Sequence, residues 1–222
     1  MKRILSFLCA FALLAAALAA PSCLPEPGIE RFVINQENAF SNEQGTLSVI
    51  DPAGNVENEA GGLLLGLIPN RITIDGTVAY VTNSGDDTIQ LIDLDTLESV
   101  ATFELAAADG GACSPWESVI GEEKGYTTCF LSSEVVVWNK TDGTILGHIP
   151  LPDADGTHPA SPEGLHLAGD TLYVANTGFS FADFSYGPGT ISVIDTTTDH
   201  VTATIATGQV NPQALTVGPD GM

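Results

Sequence analysis

Positive charge is scarce in this chain. Six Lys and Arg stand against 28 Asp and Glu over 222 residues, a net charge of −22. Such a surface repels phosphate backbones, so nucleic acid is excluded as a partner. Catalytic signatures are missing too. There is no G-x-S-x-G elbow, no phosphate loop, no dinucleotide fingerprint and no H-E-x-x-H pair. Paired carboxylates are many, but in so acidic a chain pairs arise by chance. No amphipathic helical period appears after residue 23. The acidity itself reads first as solubility in a salty setting, where charge is screened, and second as attraction of cations.

The basic residues and the long apolar run meet at one end. Lys2 and Arg3 precede Ile4–Ala20, a stretch rich in Ala and Leu. A basic start, an apolar run and small residues form a secretory signal, and 17 apolar residues fall short of the roughly 20 a spanning helix needs. Two exits fit. Ala17-Leu18-Ala19 suits an A-x-A cleavage site. Ala20-Pro21-Ser22-Cys23 resembles a bacterial lipobox, although Leu is usual three before the Cys and Pro21 is not. The lipobox is preferred because Cys23 stands alone just past the apolar run. Residues 1–22 are then the signal, Cys23 the lipidation site and residues 23–30 a tether. Cys9 leaves with the signal, so Cys113 and Cys129 remain as a pair in an exported chain, where a disulfide is the default.

The rest of the chain repeats. Phe32-Val-Ile-Asn35, Tyr80-Val-Thr-Asn83, Tyr126-Thr-Thr-Cys129 and Tyr173-Val-Ala-Asn176 begin 48, 46 and 47 residues apart. A second phrase follows each: Gly45-TLSVI-Asp51, Asp87-TIQLI-Asp93, Ser133-EVVVW-Asn139 and Gly189-TISVI-Asp195. A Pro-led phrase recurs at Pro69, Pro115, Pro162 and Pro212. Alternation and β-branching make these strands. In each unit strand A follows the Pro, strand B is the Tyr phrase and strand C ends in Asp or Asn. Strand D is a Thr/Val-rich run such as Ser99–Glu104, Thr144–Ile149 or Val201–Ala206. Asp51, Asp93, Asn139 and Asp195 start the C-to-D turn, where their side chains can accept backbone amides two residues on.

Four-stranded units of 40–50 residues predict an all-β fold, a β-propeller of four-stranded antiparallel blades across residues 31–222. The phrases resemble the YVTN β-propeller repeat of secreted and surface-layer proteins of bacteria and archaea. Tyr80-Val-Thr-Asn83 matches that motif outright, and Tyr173-Val-Ala-Asn176 with Gly189–Asp195 nearly so. About four blades are present, and the unit opened by Pro212 stops after one strand, so the propeller reads as C-terminally incomplete.

The resemblance implies that ligands meet the face carrying the B–C and D–A loops. There the residues after each strand-A Pro vary: Asn70, Trp116, Glu163 and Gln213 are candidate mouth residues. Cys113 lies just before Pro115, and Cys129 ends the following strand B. These ends are neighbours in a hairpin, at a separation suited to a disulfide. Two Cys without a nearby His make a poor zinc site. In Pro152–Pro159, Asp153, Asp155 and His158 could converge on a cation, and the oxygen-rich set favours calcium. A turn with solvated acids is the preferred reading there. The longest insertion, Thr177–Pro188, carries Phe179, Phe181, Phe184 and Tyr186, either as a recognition surface or as a lid folded onto the blades.

The expected function is a non-catalytic binding or scaffold propeller. It is exported to the periplasm or cell surface, held to a membrane by lipid alone, and engages a protein or glycan through its loops. A closed propeller of this kind implies a monomer and needs no cofactor. The rivals are a hydrolase like the propeller lactonases, with calcium in the central channel, and a surface-layer structural protein.

Overall fold

The computed structural model describes residues 30–36 and 42–218. The signal segment, Cys23 and the tether lie outside the described residues. Eighteen strands form along the described chain, with one short 3-10 turn, Ala60–Gly62.

Three units fold as complete four-stranded antiparallel blades. Blade 2 holds β5 (Pro69–Asp75), β6 (Val78–Asn83), β7 (Thr88–Asp93) and β8 (Glu98–Glu104), in that spatial order. Blade 3 repeats it with β9 (Pro115–Ile120), β10 (Lys124–Cys129), β11 (Glu134–Asn139) and β12 (Ile145–Pro150). Blade 4 uses β13 (Pro162–Ala168), β14 (Thr171–Asn176), β17 (Pro188–Asp195) and β18 (His200–Val210). A separate hairpin, β15 (Phe179–Ser180) and β16 (Ser185–Tyr186), interrupts blade 4 at its B–C loop. Blade 1 starts at strand B: β1 (Arg31–Asn35) pairs with β2 (Gln44–Ile50). Its outer strand is split into β3 (Val56–Glu57) and β4 (Leu64–Leu67), which pair with opposite ends of β2.

The innermost strands β5, β9 and β13 lie side by side, so successive blades turn about a common axis. Blades pack face to face through period-2 apolar rows. Ile89, Leu91 and Phe103 of blade 2 meet Val136 and Trp138 of blade 3. Val135 and Val137 of blade 3 meet Leu165, Leu172 and Ile194 of blade 4. One cross-strand pair trades a small residue for a large one. Gly125 faces Trp138 across the β10–β11 ladder, where blade 2 has Ala79 facing Ile92 and blade 4 has Leu172 facing Ile194. A Cβ on Gly125 would sit 2.0 Å from the Trp138 ring, so the Gly exists to seat the Trp.

The turn chemistry expected of the C-to-D Asp and Asn residues is present in all four blades. Asp51, Asp93, Asn139 and Asp195 each accept the amide two residues on, at 2.8–3.0 Å. Asn83 does something else than tie a turn. Its amide reaches across to strand C and donates to Thr88 Oγ1 at 3.2 Å. Asn176 donates to Thr190 and Ser192 at 3.0 and 2.8 Å, and Asn35 to Thr46 and Ser48 at 3.1 and 2.9 Å. The Asn of the Tyr phrase is thus a buried cross-strand link, which explains why strand C opens with Thr.

The Pro212 phrase, expected as a strand A, departs from expectation. Gln213 and Ala214 pass directly against Gly164 of β13, where a Cβ would lie 2.6 Å from the Gln213 carbonyl. Residues 211–218 nevertheless join no ladder. A strand A pairs only with strand B of its own blade, and no such strand follows among the described residues.

Candidate functional site

Each Pro phrase is entered through a residue in the left-handed region: Ile68, Ser114, Ser161 and Asn211, with φ of 52°, 50°, 44° and 55°. For non-glycine residues this costs on the order of 1 kcal/mol each. Hydrogen bonds hold the conformation. Ser84 and Gly85 donate to the carbonyls of Ile68 and Leu67, Phe130 and Leu131 to Ser114 and Cys113, Thr177 and Gly178 to Ser161 and Ala160. In blades 2, 3 and 4 the start of the B–C loop is therefore laced to the end of the D–A loop, and both lie on one face, as expected.

At this face the structure brings three of the four predicted mouth residues to the start of adjacent inner strands. Asn70 on β5 donates to Ser84 Oγ and accepts from Gln36 Nε2 at 3.2 Å. Trp116 on β9 is half-buried against Phe130, with ring centroids 5.2 Å apart. Glu163 on β13 is 6% exposed, and its backbone carbonyl accepts Thr128 Oγ1 at 2.8 Å. Its carboxyl has no hydrogen bond among the described residues, and burial pushes it up to about 7, against a smaller opposing pull from Arg71. Gln213 is exposed and stands apart from any ladder.

Sequence reasoning missed two neighbours. Arg71 Nε lies 3.4 Å from Glu117 Oε1, and Glu117 Oε2 accepts the Leu165 amide at 3.0 Å. One carboxylate thereby joins the inner strands of blades 2, 3 and 4. The signal was available: Arg71 and Glu117 occupy the same place, two residues after the Pro of their units.

The aromatic insertion and the mouth form one cluster. Phe179 stacks on Phe130 at 5.9 Å, and Phe130 in turn touches Trp116. Phe181 meets both Phe130 and Phe179 edge-on, at 5.9 and 4.8 Å, and Phe184 and Tyr186 extend the chain of rings. Phe179 is the anchor. Phe181, Phe184 and Tyr186 remain 53%, 76% and 42% exposed. The two sequence readings, lid and recognition surface, are thus divided between residues: Phe179 packs, and the others face solvent. Edge-to-face contact fixes their spacing at little entropic cost.

A polar clasp holds the insertion in place. His158 Nδ1 lies 2.8 Å from Asp155 Oδ2 and Nε2 lies 3.1 Å from Ser185 Oγ, while Ser185 donates to Asp183 Oδ1 at 2.7 Å. Gly187 makes room, since a Cβ there would fall 2.5 Å from His158 Cγ. The Asp155 carboxylate also accepts the amides of Thr157 and His158, both at 2.9 Å, and these bonds hold it down at about 2. Asp155 and His158 therefore spend their polar atoms on the loop and on each other, while Asp153 is exposed beside them. No group of three or more His, Cys, Asp or Glu close enough to hold a metal occurs among the described residues.

The disulfide forms as expected. Cys113 and Cys129 are joined, with Cα atoms 4.6 Å apart and both residues fully buried. The bridge ties the D–A loop to the end of strand B at the point where the other blades carry Asn.

No known family model and no curated protein matches the sequence. Solved structures do. A catalytically inactive H270A virginiamycin B lyase from Staphylococcus aureus, with quinupristin, superposes with a TM-score of 0.58 at 16% identity, over 84% of this chain and 60% of that one. Hydrazine synthase of Kuenenia stuttgartiensis gives 0.52 at 21% identity over 69% of this chain, and the dihydro-heme d1 dehydrogenase NirN gives 0.53 at 11% over 79%. The chain spans only 40% and 36% of the length of those last two. At such identities the likeness carries fold alone, and the neighbours are β-propeller proteins. Four-stranded antiparallel blades around shared inner strands, and superposition on these structures, make this chain a β-propeller.

Proposed function

We propose that this chain is an exported β-propeller scaffold that recognises a protein or a glycan through its loop face. The observation that carries the reading is the ring cluster from Trp116 to Tyr186. It exposes Phe181, Phe184 and Tyr186 on a pre-ordered base instead of burying them. Rigid aromatics at a loop face suit both the apolar anchor of a protein partner and stacking on the C–H face of a sugar. The buried disulfide supports an oxidising, exported setting. Cys23 is the proposed lipid anchor, and a fatty-acid label that enters the wild type and not Cys23→Ala tests it.

The binding test is a glycan array together with a binding screen against envelope proteins, read for wild type and for Phe181→Ala/Phe184→Ala. A ligand bound by the wild type and lost by the double variant supports the reading. A ligand retained at full strength by the double variant, or none at all in either screen, overturns it.

A second reading, a hydrolase of the mouth, rests on Glu163. A buried carboxyl without hydrogen bonds and with its proton poised near neutrality has the character of a general acid or base. Ester or lactone turnover that Glu163→Gln abolishes while folding is retained would raise this reading above the first.

A further inference from the structure

Between blades 1 and 2, on the loop side, lies a polar cleft of about 330 Å³ that plays no part in the reading above. Register explains its chemistry. Asn83 on β6 pairs with Thr88 on β7, and Thr88 pairs with Glu104 on β8, so the three form one row on the face turned to blade 1. Asp86 enters from the B–C turn, and Gln44 from β2 of blade 1.

Each amide nitrogen in this cleft spends a hydrogen on the chain. Asn83 Nδ2 goes to Thr88, Gln44 Nε2 donates to the Leu65 carbonyl at 3.1 Å, and Gln90 Nε2 to the Leu64 carbonyl at 3.1 Å. Asp86 Oδ2 accepts the Leu67 amide at 2.6 Å. The charge in the cleft is all on acceptors. Asn83 is 1% exposed, lines the cleft, and its Oδ1 has no partner. Glu104 and Asp86 line the same space, and no Lys or Arg does. A buried acceptor without a donor costs about 1–3 kcal/mol, and two carboxylates beside it raise the need for positive charge.

Blade 4 supplies the contrast. Its equivalent row is Asn176, Thr190 and Ala206, with the same orphaned Oδ1 and no carboxylate in the row. The amide alone is therefore common to the fold, and the acids are particular to this cleft.

We propose that the cleft binds a hard divalent cation of the calcium class. Asp86 and Glu104 supply charge and Asn83 Oδ1 a neutral oxygen. An all-oxygen set without His or Cys selects against transition metals, and an uneven, flexible set of oxygens suits calcium better than magnesium. The ion braces blade 2 against Gln44 and Gly66 of blade 1.

The test is thermal unfolding of the EDTA-stripped, dialysed protein in CaCl2, in MgCl2 and in NaCl of matched ionic strength, with calorimetric titration of CaCl2. Calcium is expected to raise the melting temperature by several degrees, as a ligand held by the folded state alone must. Asp86→Asn and Glu104→Gln are each expected to weaken calcium binding about tenfold or more, two carboxylates being the only charged ligands. Asp153→Asn, on the exposed 150–161 loop, should bind like wild type. No heat and no shift in the wild type overturns the proposal. So does a shift that NaCl reproduces, full-strength binding in both cleft variants, or loss of binding in Asp153→Asn.

Discussion

Blades 2 and 3 share strand order and part company at the loop-side end of strand B. In blade 2 that place is Asn83, an amide that links two strands and leaves a buried acceptor unpaired beside a polar cleft. In blade 3 it is Cys129, bonded to Cys113 and sealed among Leu105, Phe103, Val136 and Trp138. Next to each, strand C begins with Thr88 in one and Glu134 in the other. The Glu134 carboxylate is 5% exposed but satisfied, by the Ala108 amide at 3.0 Å and Ser132 Oγ at 2.9 Å. The repeat therefore fixes a slot that must hold a buried link, and leaves its chemistry free. Where the link is covalent the corner is dry and finished. Where it is an amide the corner stays polar and open to further ligation.

The largest effects should come from breaking the dry corner. Trp138 is fully buried, touches Tyr80 and Phe103 of blade 2, and donates Nε1 to Thr127 Oγ1 at 2.9 Å. Trp138→Ala should cost about 3–5 kcal/mol by urea denaturation, since the cavity opens between two blades and the Thr127 hydroxyl loses its donor. Next comes the bridge. Cys113→Ala/Cys129→Ala releases a loop of sequence separation 16, worth about 3 kcal/mol in the chain-entropy model. A loss under about 1 kcal/mol would mean that packing in blade 3 already does the work of the bond, and the contrast with blade 2 would weaken.

These corners also mark how far the chain could be read without coordinates. Strand order, the C-to-D Asp turns and the disulfide were legible because each depends on residues close in sequence or on one ladder. The Gly125–Trp138 exchange was legible in principle: the unit with Gly before its Tyr is the one with Trp in strand C. The union of Trp116, Phe130 and the 177–188 insertion was not, because it depends on how far one blade is rotated about the axis from the next. The same holds for Glu117, whose partners Arg71 and Leu165 come from both neighbouring blades. The role of Asn83 was not legible either, because an Asn before a polar turn usually caps that turn, whereas here strand C offers it a hydroxyl across the ladder.

The comparison extends to strand A, where Asn70 is satisfied by its neighbours and Glu163, in the same place two repeats later, is not. Its folded-state carboxyl, at about 7, lies above the ordinary 4.5. The folded protein then holds that proton more tightly than the unfolded chain does. The group's contribution to stability is complete below pH 4.5 and is lost as pH rises through 7. Wild type should lose on the order of 2 kcal/mol relative to Glu163→Gln between pH 4.5 and pH 8. Urea midpoints of both proteins at the two pH values check it. Parallel midpoints would mean that Glu163 has a donor within the mouth, and would place it with Asn70.

The smallest effects should separate the two amide corners from each other. Asn176→Ala removes donors from both Thr190 and Ser192, which are 4% and 0% exposed, so two buried hydroxyls lose a bond. A cost of about 1–2 kcal/mol follows. Asn83→Ala breaks one longer bond, to Thr88, and at the same time deletes an orphaned acceptor beside two carboxylates. An unsatisfied oxygen is lost at both sites, so the single, longer bond sets the difference, and in chelator the cost here should be about 0.5 kcal/mol or less. The order of the two variants is the informative quantity, because each is the same chemical deletion at the same repeat position. If Asn83→Ala proves as costly as Asn176→Ala in chelator, the Asn83 amide carries more of the strand link than its one bond to Thr88, and the two corners are alike after all. If the order holds in chelator and Asn83→Ala becomes the costlier variant once calcium is added, the difference between the corners lies in the acids of the cleft and not in the amide.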